Sequence, residues 1–405
     1  MARGDDDAIV EMFRDRKEKE RRDVGPELSR LQREYLGYGR RVPHEYGDTA
    51  CAAVFASCTL TEIKHLNVEH TFGTFCNETT LAVLVDRRPA WVTKWAEWAL
   101  EREARPSGRA DGLWVLVRNL IRAGVCEPLD SDAYILGMIF GIGSPRYHIR
   151  SRVHGVHSLG IPRDEEAIEK YRDANRSWSV LGSFLDDPSL LDHEIWRIFE
   201  VPGRPSRQLS ASSADSRDGW IDAFVTLSAE GRISRQRVLE STLDALARDV
   251  TQHQSKWFVA LWTALGATRD EGASNQERLL HLLDRSVPAV VQFALRELGQ
   301  LQKEGRLDAE AFISEIEGPL LTMPVATAKA GLRMLDRVGK AHPELRSDAL
   351  LATTSALLHD HSKVQDSAIQ ILAKRRGPID PDLESAIDAN SDALTTQQRS
   401  QLIVE

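Results

Sequence analysis

Residues 286–307 read SVPAVVQFALRELGQLQKEGRL, and this stretch decides the fold of the C-terminal half. Pro288 is typical of the first position of a helix, and apolar residues follow it at spacings of three and four. A Glu-Gly-Arg-Leu segment closes the stretch with a turn signal. The pattern predicts one amphipathic helix followed by a turn.

This pattern returns every 37 residues along the C-terminal half. The turn is part of it, because EGRI at 230–233 and EGRL at 304–307 lie two periods apart. Three columns of apolar residues follow the same step: Leu246, Leu283, Leu320 and Leu357; Phe258, Leu295, Leu332 and Ile369; and Leu261, Leu298, Leu335 and Leu372.

A repeating unit of this length holds two helices and cannot bury its apolar face alone, so it must stack on its neighbours. A fourth column, just before the Phe258 column, holds mostly small residues, which allow close approach of helices: Trp257, Ala294, Gly331 and Ala368. The Trp/Leu/Gly/Tyr pattern of tetratricopeptide repeats is missing. The sequence therefore predicts a HEAT-like α-solenoid.

The whole chain is predicted to be all-α, with three parts of different character. Residues 1–205 read as an irregular α-helical region without a period, and 206–216 read as a linker or long loop inside a segment rich in Ser, Pro, Gly and Arg. Residues 217–405 form the predicted solenoid.

The order of five segments resembles an uncharacterised HEAT-like helical-repeat family, a domain of unknown function found mainly in high-GC Gram-positive bacteria. The resemblance spans roughly residues 5–340 and implies a bacterial helical protein, but its motifs are helix starts and core residues, so it supplies no activity. The segments are RRPAWVTKWAEWAL (87–100), DGLWVLVRNLIRAG (111–124), SDAYILGMI (131–139), LDDPSLLDHEIWRIFEVPG (185–203) and LSAEGRISRQRVLESTLDALARDV (227–250).

The composition argues against several functions but does not identify one. The formal net charge of −9 argues against a general nucleic-acid-binding surface, which needs clustered Lys and Arg, but leaves room for a local basic patch. No apolar run approaches the roughly 20 residues of a membrane span, and the N-terminus shows no signal-peptide core. With four cysteines and no Cys-x-x-Cys pair, we expect a cytoplasmic protein with free buried thiols and no membrane partner.

One segment breaks the acidic balance of the chain. Residues 133–163 contain no Asp or Glu, and their basic side chains form a candidate binding site for an anion or a partner: Arg146, His148, Arg150, Arg152, His154 and His157. The alternative interpretation is an exposed loop whose arginines pair with the acidic helix that follows Pro162.

A second candidate is aromatic. Trp91, Trp95 and Trp98 share one helix face, which could stack bases or grip a peptide but is more typical of core packing. We predict no metal site, because Cys51, Cys58 and His65 are spaced by seven and zinc ligands come in tighter pairs.

These observations predict a non-enzymatic interaction or scaffold protein that binds another protein along the solenoid surface. No catalytic residue and no cofactor are assigned. Two alternatives stay open: a HEAT-like alkylpurine DNA glycosylase, with Asp186 and Asp187 near Trp178, and a nucleic-acid or anion-binding module that uses the 146–152 arginines. No concave-surface series of Lys or Arg recurs on the 37-residue period, which argues against the glycosylase.

Overall fold

The computed structural model describes residues 6–36, 44–66, 78–103, 111–142, 179–201, 219–375 and 381–402. Within these ranges the chain is helical and contains no strand, which confirms the predicted all-α class. No helix in this part of the chain is long and apolar enough to cross a membrane. The chain divides into two compact units, residues 1–220 and residues 221–405. The predicted linker at 206–216 lies outside the described residues.

The described residues of unit 1 are largely helical. Its core is aromatic in several places, for example where Phe55 meets Trp95 edge to face at 4.8 Å and where Phe184 meets Trp220 at 5.7 Å. The helices are α1 (Asp6–Phe13), α2 (Glu18–Leu36), α3 (His44–Ser57), α4 (Leu60–Leu66), α5 (Glu78–Arg87), α6 (Val92–Glu103), α7 (Asp111–Arg122), α8 (Asp132–Ile142), α9 (Val180–Asp186) and α10 (Glu194–Arg197).

Helices follow one another closely along the described part of unit 2. Helix α11 (Trp220–Ala229) begins one residue before the unit boundary. The others are α12 (Arg235–Leu246), α13 (Gln252–Leu265), α14 (Arg269–Ser274), α15 (Gln276–His281), α16 (Pro288–Lys303), α17 (Ala309–Glu315), α18 (Glu317–Thr322), α19 (Val325–Ala341), α20 (Arg346–Thr354), α21 (Ser362–Arg375), α22 (Pro381–Asn390) and α23 (Thr396–Leu402).

The helices of unit 2 lie in two layers. Layer A holds α12, α14, α15, α17, α18, α20 and α22, and layer B holds α13, α16, α19, α21 and α23. Within layer B each helix packs on the next, from α13 to α23. Layer A runs in the same order through α12, α15, α17, α20 and α22, and α12, α15, α18 and α20 also pack on helices of layer B.

The apolar columns form the core between the layers. All twelve residues of the three columns are buried, with Phe258 the most exposed of them at 8%. Gly331 of the fourth column shows why a small residue is needed there. A Cβ atom added to it would lie 3.1 Å from Cδ1 of Ile316 and 3.2 Å from Cδ2 of Leu320, so the missing side chain lets α19 approach α18 closely.

The two Glu-Gly-Arg turns share one conformation. Gly231 and Gly305 have φ angles of +69° and +68°, a region that favours glycine. After each glycine the arginine N–H closes the helix end: Arg232 donates to the Leu227 carbonyl and Arg306 to the Leu301 carbonyl, both at 2.9 Å. The same turn therefore ends α11 and α16.

Candidate binding groove

A groove of about 760 Å³ crosses three successive helices of layer B, α13, α16 and α19. Its apolar lining includes Val259, Phe293 and Met334, one from each helix. Small residues keep the groove open along its length: Ala260, Ala289, Gly299, Ala326 and Ala330. The lining thus offers apolar contacts from three different helices to one ligand.

Local sequence fixes where these helices start and end. A capping box formed by Thr251 and Gln254 begins α13, and Gly266 in the left-handed region follows its last residue. Pro288 occupies the first turn of α16, as the sequence predicts.

Two side-chain hydrogen bonds join neighbouring helices beside the groove. The indole Nε1 of Trp262 on α13 donates to Oε2 of Glu297 on α16 at 3.3 Å. The Nε2 of Gln302 on α16 donates to the Met334 carbonyl of α19 at 2.9 Å. These two hydrogen bonds help to set the spacing of the three helices, because one joins α13 to α16 and the other joins α16 to α19.

Five cations line the groove, and no carboxylate does. They are Lys256 on α13, Arg296 and Lys303 on α16, and Arg333 and Arg337 on α19, all exposed. Arg296 donates to Oε1 of Glu297 at 3.0 Å. Among the described residues, none of the other four has a carboxylate within ion-pair distance.

Charge is segregated between the two layers. The three layer B helices that line the groove carry seven Lys or Arg and two acids, a net formal charge of +5. The helices paired with them in layer A, α12, α14, α15, α17 and α18, carry four Arg and eight acids, a net of −4. A chain that is acidic as a whole therefore presents one locally basic surface.

Some cations at this surface share the 37-residue step in pairs, without forming an unbroken series. Arg296 and Arg333 are one 37-residue step apart and both line the groove. Lys303 and Lys340 repeat in the same way, as do Arg337 and Lys374. Each series is interrupted, for example by Val259 and Gln370 around the first pair, so a search for an unbroken column misses it.

A second, smaller cavity of about 220 Å³ lies among α19, α20 and α21. Its one carboxylate, Asp336, accepts hydrogen bonds from Lys340 and from Nε of Arg375 at 2.9 Å. Burial opposes ionisation of Asp336, but these two cations hold the pKa of the carboxyl below its usual range. The Asp336 carboxylate is thus paired within the protein, while Arg346 and Lys374 also line the cavity.

The sequence-predicted basic site of residues 146–157 lies outside the described residues. Its members are Arg146, His148, Arg150, Arg152, His154 and His157. Trp178, one of the residues offered for a glycosylase, lies outside the described residues too.

The three tryptophans of the aromatic face have different surroundings. Trp95 is fully buried against Phe55. Trp91 and Trp98 are half-buried, and cations lie over their rings: the Arg87 guanidinium over Trp91 at 5.3 Å, and Lys64 Nζ over Trp98 at 5.0 Å. These contacts occupy the aromatic face with residues of unit 1.

Two carboxylates were considered for glycosylase chemistry: Asp186 is exposed, and Asp187 forms a largely buried ion pair. Nε of Arg118 donates to its Oδ2 at 2.6 Å and Nη2 to its Oδ1 at 3.0 Å, while Nη1 reaches Oε1 of Glu194 at 3.0 Å. Burial opposes ionisation of Asp187, but hydrogen bonds from Arg118 and Ser189 hold its pKa below the usual range. Both oxygens of Asp187 are thus committed to α7 and to its own loop.

Beside this pair, burial raises the pKa of Tyr134 to about 12. Within the described ranges no group of His, Cys, Asp and Glu is arranged to hold a metal ion. Cys51, Cys58 and Cys126 are buried and form no disulfide.

A family model matches part of the chain. It is described as a domain of unknown function (DUF6493), and it covers residues 165–327. The match supports the predicted resemblance to an uncharacterised family over a shorter range than the expected 5–340. It includes α13 and α16 but ends at the first turn of α19. Comparisons with curated proteins and with solved structures find no match.

Proposed function

We propose that this chain is a HEAT-like helical-repeat module that binds a protein partner along the groove of layer B. Support for the repeat comes from where the layer B helices begin. Helices α13, α16, α19 and α21 start at 252, 288, 325 and 362, in steps of 36, 37 and 37 residues. The shared geometry of the two Glu-Gly-Arg turns, two periods apart, points the same way.

The observation that carries the binding proposal is the groove itself. Repeats that stack in one dimension create a continuous surface from corresponding positions of successive units, and such surfaces bind extended partners. Here three successive units contribute lining residues of corresponding position, such as Val259, Arg296 and Arg333, which lie at 37-residue steps. A peptide lying across α13, α16 and α19 would contact all three.

The test compares two tryptophan substitutions at exposed small residues. Ala326→Trp places an indole in the groove on α19, and Ser314→Trp places one on α17 in layer A. Each tagged full-length variant is used to capture proteins from an extract of the native host, with quantification by mass spectrometry.

We expect A326W to lose the proteins that the unsubstituted chain retains, and S314W to keep them. Circular dichroism and a thermal melt check that both variants fold. Recovery of the same proteins in the same amounts by both variants would overturn the groove as the binding surface.

A further inference from the structure

We propose that the partner segment held in this groove is an acidic amphipathic helix. The inference rests on the proposed function and adds the chemistry of the ligand. Three features of the groove carry it: exposed cations, most of them without a carboxylate partner among the described residues, an apolar floor, and a length set by three helices.

The first feature is the state of the cations. Several exposed arginines elsewhere in unit 2 pair with acids, for example Arg269 with Glu304 and Arg306 with Asp270, both at 2.8 Å. In the groove Lys256, Arg333 and Arg337 have no such carboxylate among the described residues. Arg333 and Arg337 are also four residues apart on one helix, where like charges repel. Carboxylates of a ligand would relieve that repulsion.

The second feature is the floor beneath the cations. Val259 is half-buried, and Phe293 and Met334 line the groove with only 2% exposure each. Methionine and aromatic side chains accept apolar groups of varied shape. An occupant therefore needs an apolar face as well as negative charge.

An amphipathic helix meets both requirements, because its apolar residues at spacings of three and four enter a groove while its flanks stay polar. A nucleic-acid duplex supplies only the negative charge, since phosphates cover its outer surface along both strands. The acidic helices of layer A would repel a long polyanion that extends beyond the groove. The observations therefore favour the peptide.

The third feature is the span of the groove. Neighbouring helix axes lie roughly 8–10 Å apart, so α13 to α19 covers about 20 Å. A helix rises 1.5 Å per residue, and about 13 residues match that distance. Acidic residues on both flanks of such a helix can reach the cations at the two rims.

The experiment uses the full chain and a fluorescent synthetic peptide of about 16 residues, with Leu at spacings of three and four and Glu on both flanks. Three comparison ligands separate the contributions: the same peptide with Gln for Glu, a scrambled peptide of identical composition, and a single-stranded oligonucleotide of equal net charge. Binding is followed by fluorescence anisotropy at ionic strengths from about 50 mM to about 300 mM.

We expect the acidic amphipathic peptide to bind more tightly than all three comparison ligands, with an affinity that falls as salt rises. The double substitution Arg333→Glu with Arg337→Glu should weaken it at least about tenfold. The matched control is Arg269→Glu with Arg278→Glu, which changes the net charge equally on layer A; it should leave the affinity within about twofold.

Equal binding of the Gln peptide or of the scrambled peptide would overturn the inference, as would tighter binding of the oligonucleotide or equal effects of the two double substitutions. These failures differ from a failure of the proposed function. If A326W removes host partners and R333E with R337E does not, the groove binds a protein but not through acids. If A326W removes none, the groove itself is not the binding surface.

Discussion

The arginines of unit 1 and the cations of the unit 2 groove show opposite uses of the same charge. In unit 1 the side chains of Arg21, Arg87 and Arg118 are at most 9% exposed, and each one pairs with a carboxylate from a distant part of the sequence. In the groove the cations are exposed, and four of the five have no carboxylate within reach among the described residues. The first set joins helices, while the second lies exposed at the surface.

Physical chemistry explains why the two sets differ. A buried guanidinium without partners costs several kcal/mol, so burial forces pairing. An exposed guanidinium keeps its hydration, so it can stay unpaired at little cost to stability and gain from an external carboxylate later. Substitutions should therefore affect folding in unit 1 and binding in unit 2.

The largest effect on stability is expected for Arg118→Ala. The substitution leaves Asp187 and Glu194 buried without their shared cation, which should cost about 3–5 kcal/mol of unfolding free energy. Hydrogen exchange measured by mass spectrometry at α7 and α10, together with urea denaturation, gives the loss. Arg122→Ala is the control, because Arg122 is half exposed and 3.9 Å from Asp187. Equal losses for R118A and R122A would contradict a structural role of the buried Arg118 guanidinium.

A smaller effect is expected for Arg87→Lys. The guanidinium of Arg87 donates to both oxygens of Glu18 and to the carbonyls of Phe55 and Cys58. An ammonium cannot reproduce this planar fork, so we expect a loss of about 1.5–3 kcal/mol in urea denaturation. Arg22→Lys tests the same Glu18 from the solvent side and should change stability by less than about 0.5 kcal/mol. A similar loss for R22K would show that the burial of Arg87 is not the reason for the loss of stability in R87K.

The sequence revealed the fold where the signal was apolar and local. The helix start at Pro288 was predicted correctly, because proline acts on its own turn. The buried columns were predicted because a core position needs an apolar residue each time it recurs along the sequence.

The site was harder to predict, for two physical reasons. Arg118 and Asp187 are 69 residues apart, and no spacing rule relates residues joined only by tertiary packing. The groove cations are exposed, so no packing constraint requires them in every unit, and their series contains gaps such as Val259. A count of charge for each predicted helix, separated by layer, could have found the basic surface.

The ion pair of Arg235 and Glu271 is intermediate in exposure between the buried pairs of unit 1 and the groove cations. It gives a prediction of how stability depends on pH. Arg235 lowers the pKa of Glu271 from 4.5 to about 2, with help from the capping hydrogen bond of Thr268. A depressed folded-state pKa stabilises the fold above pH 4.5, and the contribution disappears as pH falls from 4.5 to 2. For a pair about a third exposed we expect about 1 kcal/mol.

The unfolding free energy of the Glu271→Gln variant should lack this part of its dependence on pH, because Gln is not ionised. Arg235→Gln should remove most of it as well, and the double variant should behave like either single one. Additive losses in urea denaturation at pH 6 would show that the two residues stabilise the protein independently.

The smallest effect on stability is expected in the groove, for Arg333→Ala and Arg337→Ala. Neither guanidinium has a carboxylate partner among the described residues, and the two repel each other across one turn of α19. Each substitution should therefore change the unfolding free energy by less than about 0.5 kcal/mol, with a slight gain that grows at low salt. Leu335→Ala on the same helix is the positive control, since its buried side chain should cost about 2–5 kcal/mol. Losses above about 1 kcal/mol for R333A or R337A would mean that these cations hold the fold together as Arg118 does, and that the groove does not keep its charge free for a ligand.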